Sequence, residues 1–233
     1  MKTVVIIPAR MDSKRLPGKH LRKINGYEML FYLVKRMSQT PGIDTVLIAT
    51  TDRSCDDPLV QWAHRVGVDT FLGDLNDVLG RFTAAASFSD ADVVVKANGD
   101  SPLLAPEVIA AGLLDMSVHG YEFVTGKNEY TGLPTGLSAE IIRYDTLNQI
   151  NQKVVDPFDR EHITNYIFRF PQSFKWKPIT VKPEWVAPEL SLTVDTPEDF
   201  QKMTQLINAL DKNKTCLWSV EQIISVNKKQ HAI

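Results

Sequence analysis

The sequence predicts an α/β fold in which a mostly parallel sheet is sandwiched between helices. Three observations carry this. Apolar runs of strand length alternate with segments of helical period along the first half of the chain. The runs Val4-Val5-Ile6-Ile7, Val46-Leu47-Ile48-Ala49 and Val93-Val94-Val95 are apolar at successive positions, so both faces of each strand must be covered. The segments between them have the length and period of crossover helices, as parallel strands require.

The elements follow in order. Thr3–Ile7 reads as the first strand. Met29, Leu30, Leu33, Val34 and Met37 recur at helical spacing and place an amphipathic helix over 27–39. Residues 45–50 form the second buried strand, and Asp57–Val66 forms a helix with Pro58 in its first turn. Val68–Leu72 is a short strand, and Asp77 is placed to cap a helix ending near Phe88. Asp92–Ala97 is the third long strand, followed by a helix over Pro106–Met116. Beyond residue 120 the pattern loosens. Tyr121–Thr125 and Leu137–Ile142 read as strands able to pair antiparallel, and Asp159 as the cap of a helix through Phe170. Leu190–Val194 is read as a final buried strand. Thr196-Pro197-Glu198-Asp199 opens the next helix with an N-cap threonine, a first-turn proline and two acids that suit the helix dipole. Val220–Val226 is a short closing helix, and Lys228–His231 reads as a mobile tail. One domain over residues 1–233, with an irregular middle insertion, is expected.

Composition narrows the function. The 233 residues carry 26 Lys and Arg against 28 Asp and Glu, a formal net charge of −2. Binding along a nucleic-acid backbone needs a cationic excess that this chain lacks. No apolar run approaches the ~20 residues that span a bilayer, and no secretory signal opens the chain. Cys55 and Cys216 stand far apart without partners at ligand spacing, so neither a disulfide framework nor a zinc site is implied. A cytoplasmic protein without a nucleic-acid or membrane partner is expected.

Three segments carry candidate chemistry. Pro8-Ala9-Arg10-Met11-Asp12-Ser13-Lys14-Arg15-Leu16-Pro17-Gly18-Lys19 empties the first strand into a loop with four cations. Ligands of α/β sheets bind at such carboxyl ends, and four positive charges with free N–H groups suit a polyphosphate. The glycine patterns of the P-loop and of dinucleotide sites are absent, so side-chain charge must hold the phosphates. Arg10, Arg15 and Lys19 are the candidates, Ser13 caps the loop or donates to a phosphate oxygen, and Lys14 is left to solvent. Asp100, in Asn98-Gly99-Asp100-Ser101-Pro102, follows a buried strand, where a carboxylate can hold Mg²⁺ against a nucleotide phosphate or simply form a turn. Asp195 ends the Leu190–Val194 run. If the two strands lie side by side, Asp100 and Asp195 can share Mg²⁺.

Taken together, Pro8–Lys19, Asn98–Pro102 and Thr193–Phe200 resemble, in order, the signatures of cytidylyltransferases that activate 3-deoxy-2-ulosonic acids. These are the CMP-Kdo and CMP-sialate synthetases and the spore-coat polysaccharide biosynthesis protein F type. Asp77-Val78-Leu79-Gly80-Arg81 and Arg160-Glu161-His162-Ile163-Thr164 resemble the spore-coat group in particular. The resemblance implies a Rossmann-like sheet of the nucleotide-diphospho-sugar transferase type, with a small antiparallel dimerisation insertion near 125–165 and a homodimer. It implies attack of a keto-sugar acid on the α-phosphorus of CTP, with release of pyrophosphate, for surface polysaccharide synthesis. Arg10, Lys19 and Asp100 would be the catalytic groups. Pro8, Ala9, Arg10, Ser13, Arg15, Lys19, Arg81 and Asn98 would surround the nucleotide, Asp100 and Asp195 would hold Mg²⁺, and Glu140, Glu161 and His162 would face the sugar. Two departures from the synthetases, Asn98 with Ser101 and the single acid of Thr193-Val194-Asp195, pull toward the spore-coat type. Alternatives kept open are another acceptor, such as an amino-sugar acid, a phosphonate or an alcohol phosphate, and a relative that binds nucleotide sugar without turnover.

Some features are assigned to structure alone. Asp90-Ala91-Asp92 matches the metal motif of glycosyltransferases but precedes its strand, at the wrong sheet edge. Asp156-Pro157-Phe158-Asp159 reads as a turn and helix cap. The four tryptophans show no base-stacking pattern.

Overall fold

The computed structural model describes residues 1–210 and 216–231. Its strands are β1 (Thr3–Pro8), β2 (Lys23–Ile24), β3 (Tyr27–Glu28), β4 (Thr45–Thr51), β5 (Asp69–Gly73), β6 (Val93–Lys96), β7 (Phe123–Thr125), β8 (Glu140–Arg143) and β9 (Trp176–Pro178). The helices are α1 (Met29–Ser38), α2 (Asp57–Arg65), α3 (Val78–Phe88), α4 (Pro106–His119), α5 (Asn128–Thr131), α6 (Tyr144–Lys153), α7 (Pro157–Glu161), α8 (Asn165–Arg169), α9 (Pro197–Leu210) and α10 (Val220–His231).

Seven strands form one sheet in the order β5-β4-β1-β6-β8-β7-β9. All neighbours pair parallel except β8, which runs against both β6 and β7. The mostly parallel sheet is as expected. β1 shows why its sequence is apolar throughout. Val5 and Ile7 enter one buried cluster with α1, α2, α4, α9 and α10, while Val4 and Ile6 enter a second with α3, α6 and α8. Each fully buried aliphatic side chain contributes about 1.5–3 kcal/mol.

The small antiparallel sheet is β2–β3, which the sequence reading passed over. Its turn is Asn25-Gly26, with φ of 52° and 86°. That pair is the strongest short-range hairpin signal there is, because both positions need positive φ. Residues 125–165, expected as an insertion, are not set apart from the main sheet, since β8 lies between β6 and β7.

Four local readings need correction. Leu190–Val194 is not a sheet strand. It crosses the strand ends instead, with Leu192 N–H on Thr135 O and Val194 N–H on Asp100 O. A single helix from Asp159 to Phe170 is replaced by α7 and α8, because His162 leaves helical geometry at φ −105°, ψ 74°. Asp156 is the cap, accepting from the Phe158 and Asp159 N–H groups, while Asp159 is buried and accepts from Asn165 and Arg169. Lys228–His231 continues α10, where Gln230 Nε2 donates to Gln205 O of α9. Strand β9 went unread because Lys177 and Pro178 leave it little apolar pattern at the sheet edge.

Candidate active site

The chain leaves β1 on one side of the sheet for β4 and returns on the other side with β6. This reversal opens a crevice at the carboxyl ends of β1 and β6, where α/β sheets bind ligands. Four segments meet there: the basic loop after β1, the loop after β4, Asn98–Asp100 after β6, and Val194–Asp195.

The basic loop is held from below. Asp56, fully buried, accepts the Met11 N–H at 2.7 Å and Arg53 Nη2 at 3.2 Å, and takes the Thr51 hydroxyl as well. Arg53 also reaches Asp12 at 2.7 Å, and its hydrogen bond holds the Asp12 carboxyl below the usual range. Gly18 N–H closes the loop on Met11 O, and Leu16 plugs it into the core. Ser13 Oγ accepts from Leu16 N–H at 3.4 Å, the capping role allowed for it. Lys14 is exposed, as expected. Pro8 ends β1 and Ala9 is buried beneath the loop, its N–H on Ala49 O.

Lys19 is the centre of the site. Its side chain is buried, yet its Nζ lies 3.0 Å from Asp195 Oδ1, 3.6 Å from Asp100 Oδ2 and 2.9 Å from Val194 O. Arg15 Nη2 joins Asp195 Oδ1 at 2.9 Å. The two acids read separately from sequence therefore share one ammonium, although the segment carrying Asp195 is not a strand. Ser101 Oγ donates to Asp100 Oδ1 at 3.1 Å.

Arg10 is exposed, with only a loose contact to Asp12 at 3.8 Å. Arg81 is buried and donates to the Asp74 and Leu75 carbonyls, but its Nε has no partner and it makes no ion pair among the described residues. Burial and the nearby charge of Arg10 push its pKa down.

The motifs around Asp77 and Arg160 prove to be one unit. Arg160 grips Asp77 with two bonds of 2.9 and 2.6 Å, and Asp77 also accepts Gly80 N–H at 2.8 Å to cap α3. Burial alone would raise the Asp77 pKa, but Arg160 and the Gly80 N–H outweigh it and lower it.

Beside Asp100 lies a pocket of ≈ 170 Å³ whose lining includes Lys96, Asn98, Ser101, Lys127, Ser138 and Glu140. Glu140 is buried and bonded to Lys96 Nζ at 2.8 Å and to Thr164 Oγ1 at 2.9 Å. Burial works against its ionisation, but Lys96, Lys127 and Thr164 prevail and its pKa is lowered. Glu161 and His162 are exposed at the end of α7, with His162 packed on the Phe158 ring at 4.4 Å, and neither lines this pocket.

Five residues around the site went unassigned in the sequence reading: His20, Asp56, Lys96, Lys127 and Thr164. Lys96 had a signal, since it is the one charge at the end of a valine strand. Its pairing with Glu140 follows only from the β6–β8 register. His20 supports the Asn98–Asp100 turn, its Nδ1–H donating to Gly99 O at 3.1 Å. Gly99 is needed there, because a Cβ would sit 2.8 Å from the His20 ring and 2.9 Å from Pro8 O.

Burial, with Lys19 adding to it, pushes the His20 pKa down to about 4 from 6.5. The unfolded chain therefore binds more protons between these values, and stability must fall as pH drops through that window. Urea unfolding at pH 7 and pH 5 should show the protein losing about 2 kcal/mol from this group. A His20→Gln variant should lose correspondingly less, and an equal loss in both proteins would refute the assignment.

A buried lysine between two carboxylates thus lies at a sheet switch point ringed by further cations. Residues 4–231 match the family model described as cytidylyltransferase, and the chain belongs to that family. It is 32% identical over 210 residues to the spore coat polysaccharide biosynthesis protein SpsF of Bacillus subtilis, spanning 86% of this chain and 84% of that one. A cytidylyltransferase from Leptospira borgpetersenii superposes with a TM-score of 0.90 at 27% identity, covering 100% of this chain and 96% of the other. A CMP:2-keto-3-deoxy-manno-octonic acid synthetase complexed with CTP superposes at 0.67 and 19% identity over 89% of this chain and 99% of its own, which shows a shared fold. No described helix is long and apolar enough to cross a membrane.

Proposed function

We propose that the protein couples CTP to a 3-deoxy-2-ulosonic sugar acid, Kdo- or sialate-like, giving a CMP-sugar and pyrophosphate for surface polysaccharide synthesis in the cytoplasm. The carrying observation is Lys19, held between Asp100 and Asp195 below the basic loop. The acceptor's anomeric oxygen bonds to the α-phosphorus as its proton passes to solvent water, and the bond from that phosphorus to the pyrophosphate oxygen breaks, its electron pair leaving on pyrophosphate. Arg10, Arg15 and Lys19 offset the triphosphate charge, and Arg81, held by the Asp74 and Leu75 carbonyls, adds positive charge near the nucleotide. Pro8, Ala9 and Ser13 shape the loop beneath it, and Asn98 faces the ribose or sugar. Catalysis is then positioning and charge neutralisation, with no covalent intermediate.

Among the described residues no cluster of three or more metal-ligating side chains exists. Two carboxylates sharing one cation nevertheless fit Mg²⁺, which takes one or two acids and completes its shell with phosphate and water oxygens. Asp100 and Asp195 are the residues that would hold it. The bound ion would neutralise phosphate charge and align the reacting oxygens.

Thermal unfolding with Mg²⁺ and CTP, UTP, ATP or GTP tests the nucleotide. At ~100 times its dissociation constant, CTP should add about 2.7 kcal/mol, and the others should add less. An equal shift for a purine nucleotide would contradict the assignment. A homodimer is expected from the family resemblance. Light scattering should give twice the 26.2 kDa chain mass, and the single mass would remove this part of the reading.

A further inference from the structure

We propose that Lys96, Glu140 and Lys127 form the subsite that binds the acceptor's anionic group, and that its charge balance selects a carboxylate monoanion. The proposal rests on the cytidylyltransferase reading and names how that site chooses its second substrate.

Placement comes first. The pocket of ≈ 170 Å³ holding these three side chains includes Ser101, whose hydroxyl is bonded to Asp100. A group seated there lies next to the carboxylate assigned to the reacting phosphates. The pocket also presents Asn98 and Ser138, which suit sugar hydroxyls.

Charge comes second. Lys96 is fixed, because β6–β8 pairing sets it opposite Glu140 and its Nζ lies 2.8 Å from Glu140 Oε2. Thr164 donates to both oxygens of the same carboxylate at 2.9 Å, so Glu140 is spent on neighbours within the protein. Lys127 differs. Its Nζ is 3.9 Å from Glu140 Oε1, rests 3.9 Å from the Phe168 ring centre, and its side chain is 40% exposed. Glu140 neutralises one lysine and leaves the other in excess, so the cluster carries one net positive charge.

A carboxylate of one negative charge balances that excess. A phosphate monoester, close to two negative charges at neutral pH, would overshoot it beside an already buried glutamate. A neutral sugar would leave the lysine uncompensated. Glu140 is on this account a positioning and charge-setting residue, and Lys127 is the group that meets the acceptor.

Steady-state pyrophosphate release with CTP decides the matter. The acceptors are 3-deoxy-manno-octulosonate, N-acetylneuraminate, the methyl ester of each, and glycerol 3-phosphate. The wild type should use at least one free acid and neither ester. Lys127→Met should raise the KM for that acid about tenfold or more, the loss of one charged contact, with the KM for CTP and the CTP-induced thermal shift unchanged. Lys127→Arg should recover most of the loss. Glu140→Gln should shift preference toward glycerol 3-phosphate relative to the acid by about tenfold. Equal use of acid and ester, or an unaltered acid KM in Lys127→Met, would overturn the subsite alone. Use of no free acid by a protein that CTP stabilises would overturn the subsite together with the sugar-acid acceptor and leave the nucleotide reading standing. A wild type that CTP does not stabilise would overturn the nucleotide reading and the subsite with it.

Discussion

Lys19→Met is expected to lower kcat/KM for pyrophosphate release by about 10³-fold. Removing a single preorganised charge-stabilising donor costs 10²–10³ in rate, and Lys19 stabilises more than one group. Its Nζ is the shared partner of Asp100, Asp195 and the Val194 carbonyl. Without it the two carboxylates repel, and the segment that carries Asp195 loses a tie to the loop after β1. Methionine preserves the length of the buried stem, so the fold should survive with a modest loss of stability. Lys19→Arg is expected to recover little, because a planar guanidinium cannot take the place of a compact ammonium in so closed a site. A Lys19→Met protein that retained a tenth of wild-type kcat/KM would show that the lysine only props the loop.

Arg36→Met is expected to destabilise the protein by about 3–5 kcal/mol without touching the site. Arg36 is fully buried, and its guanidinium donates to three carbonyls, of Leu104, Cys216 and Trp218, at 2.7 to 3.0 Å. Burial pushes its pKa down to about 10, with Glu107 acting against that, so it remains charged at neutral pH. The cation joins α1, the loop before α4 and the segment that enters α10. Replacement leaves buried carbonyls without donors, each costing about 1–3 kcal/mol. Arg36→Lys should also be costly, because an ammonium cannot reproduce the planar fork. For a chain of this size each kcal/mol moves Tm by about 2–4 °C, so a fall near 10 °C is expected by calorimetry. A fall of 2 °C or less would mean that water or rearranged side chains satisfy those carbonyls.

The two buried residues mark what the sequence could and could not convey. Lys19 was legible, because it sits in a loop whose four cations follow a buried strand. Arg36 was not: at the end of a helix it reads as a solvated charge, and its three partners lie 68 to 182 residues away. Asp100 and Asp195 were legible as acids after apolar runs. They were expected to meet from paired strands and share Mg²⁺; they meet instead at Lys19, and Asp195 arrives on an irregular crossing segment. The parallel strands of the first half were clear because burial on both faces leaves them apolar. β7 and β8 were legible as strands able to pair antiparallel, as they do, but the pairing of β8 with β6 that sets Glu140 against Lys96 was not. Asp56 carried no assignment in the sequence, and only the fold shows its carboxylate under the basic loop. Long-range register and loop closure are the information that local pattern omits.

The central claim is transfer of a cytidylyl group to a sugar acid. Its most direct test is mass spectrometry of the products formed from CTP, Mg²⁺ and an acceptor acid carrying ¹⁸O at the anomeric hydroxyl. The expected products are a CMP-sugar that retains the label and unlabelled pyrophosphate. Label-free CMP, or label in the pyrophosphate, would contradict attack by the acceptor on the α-phosphorus.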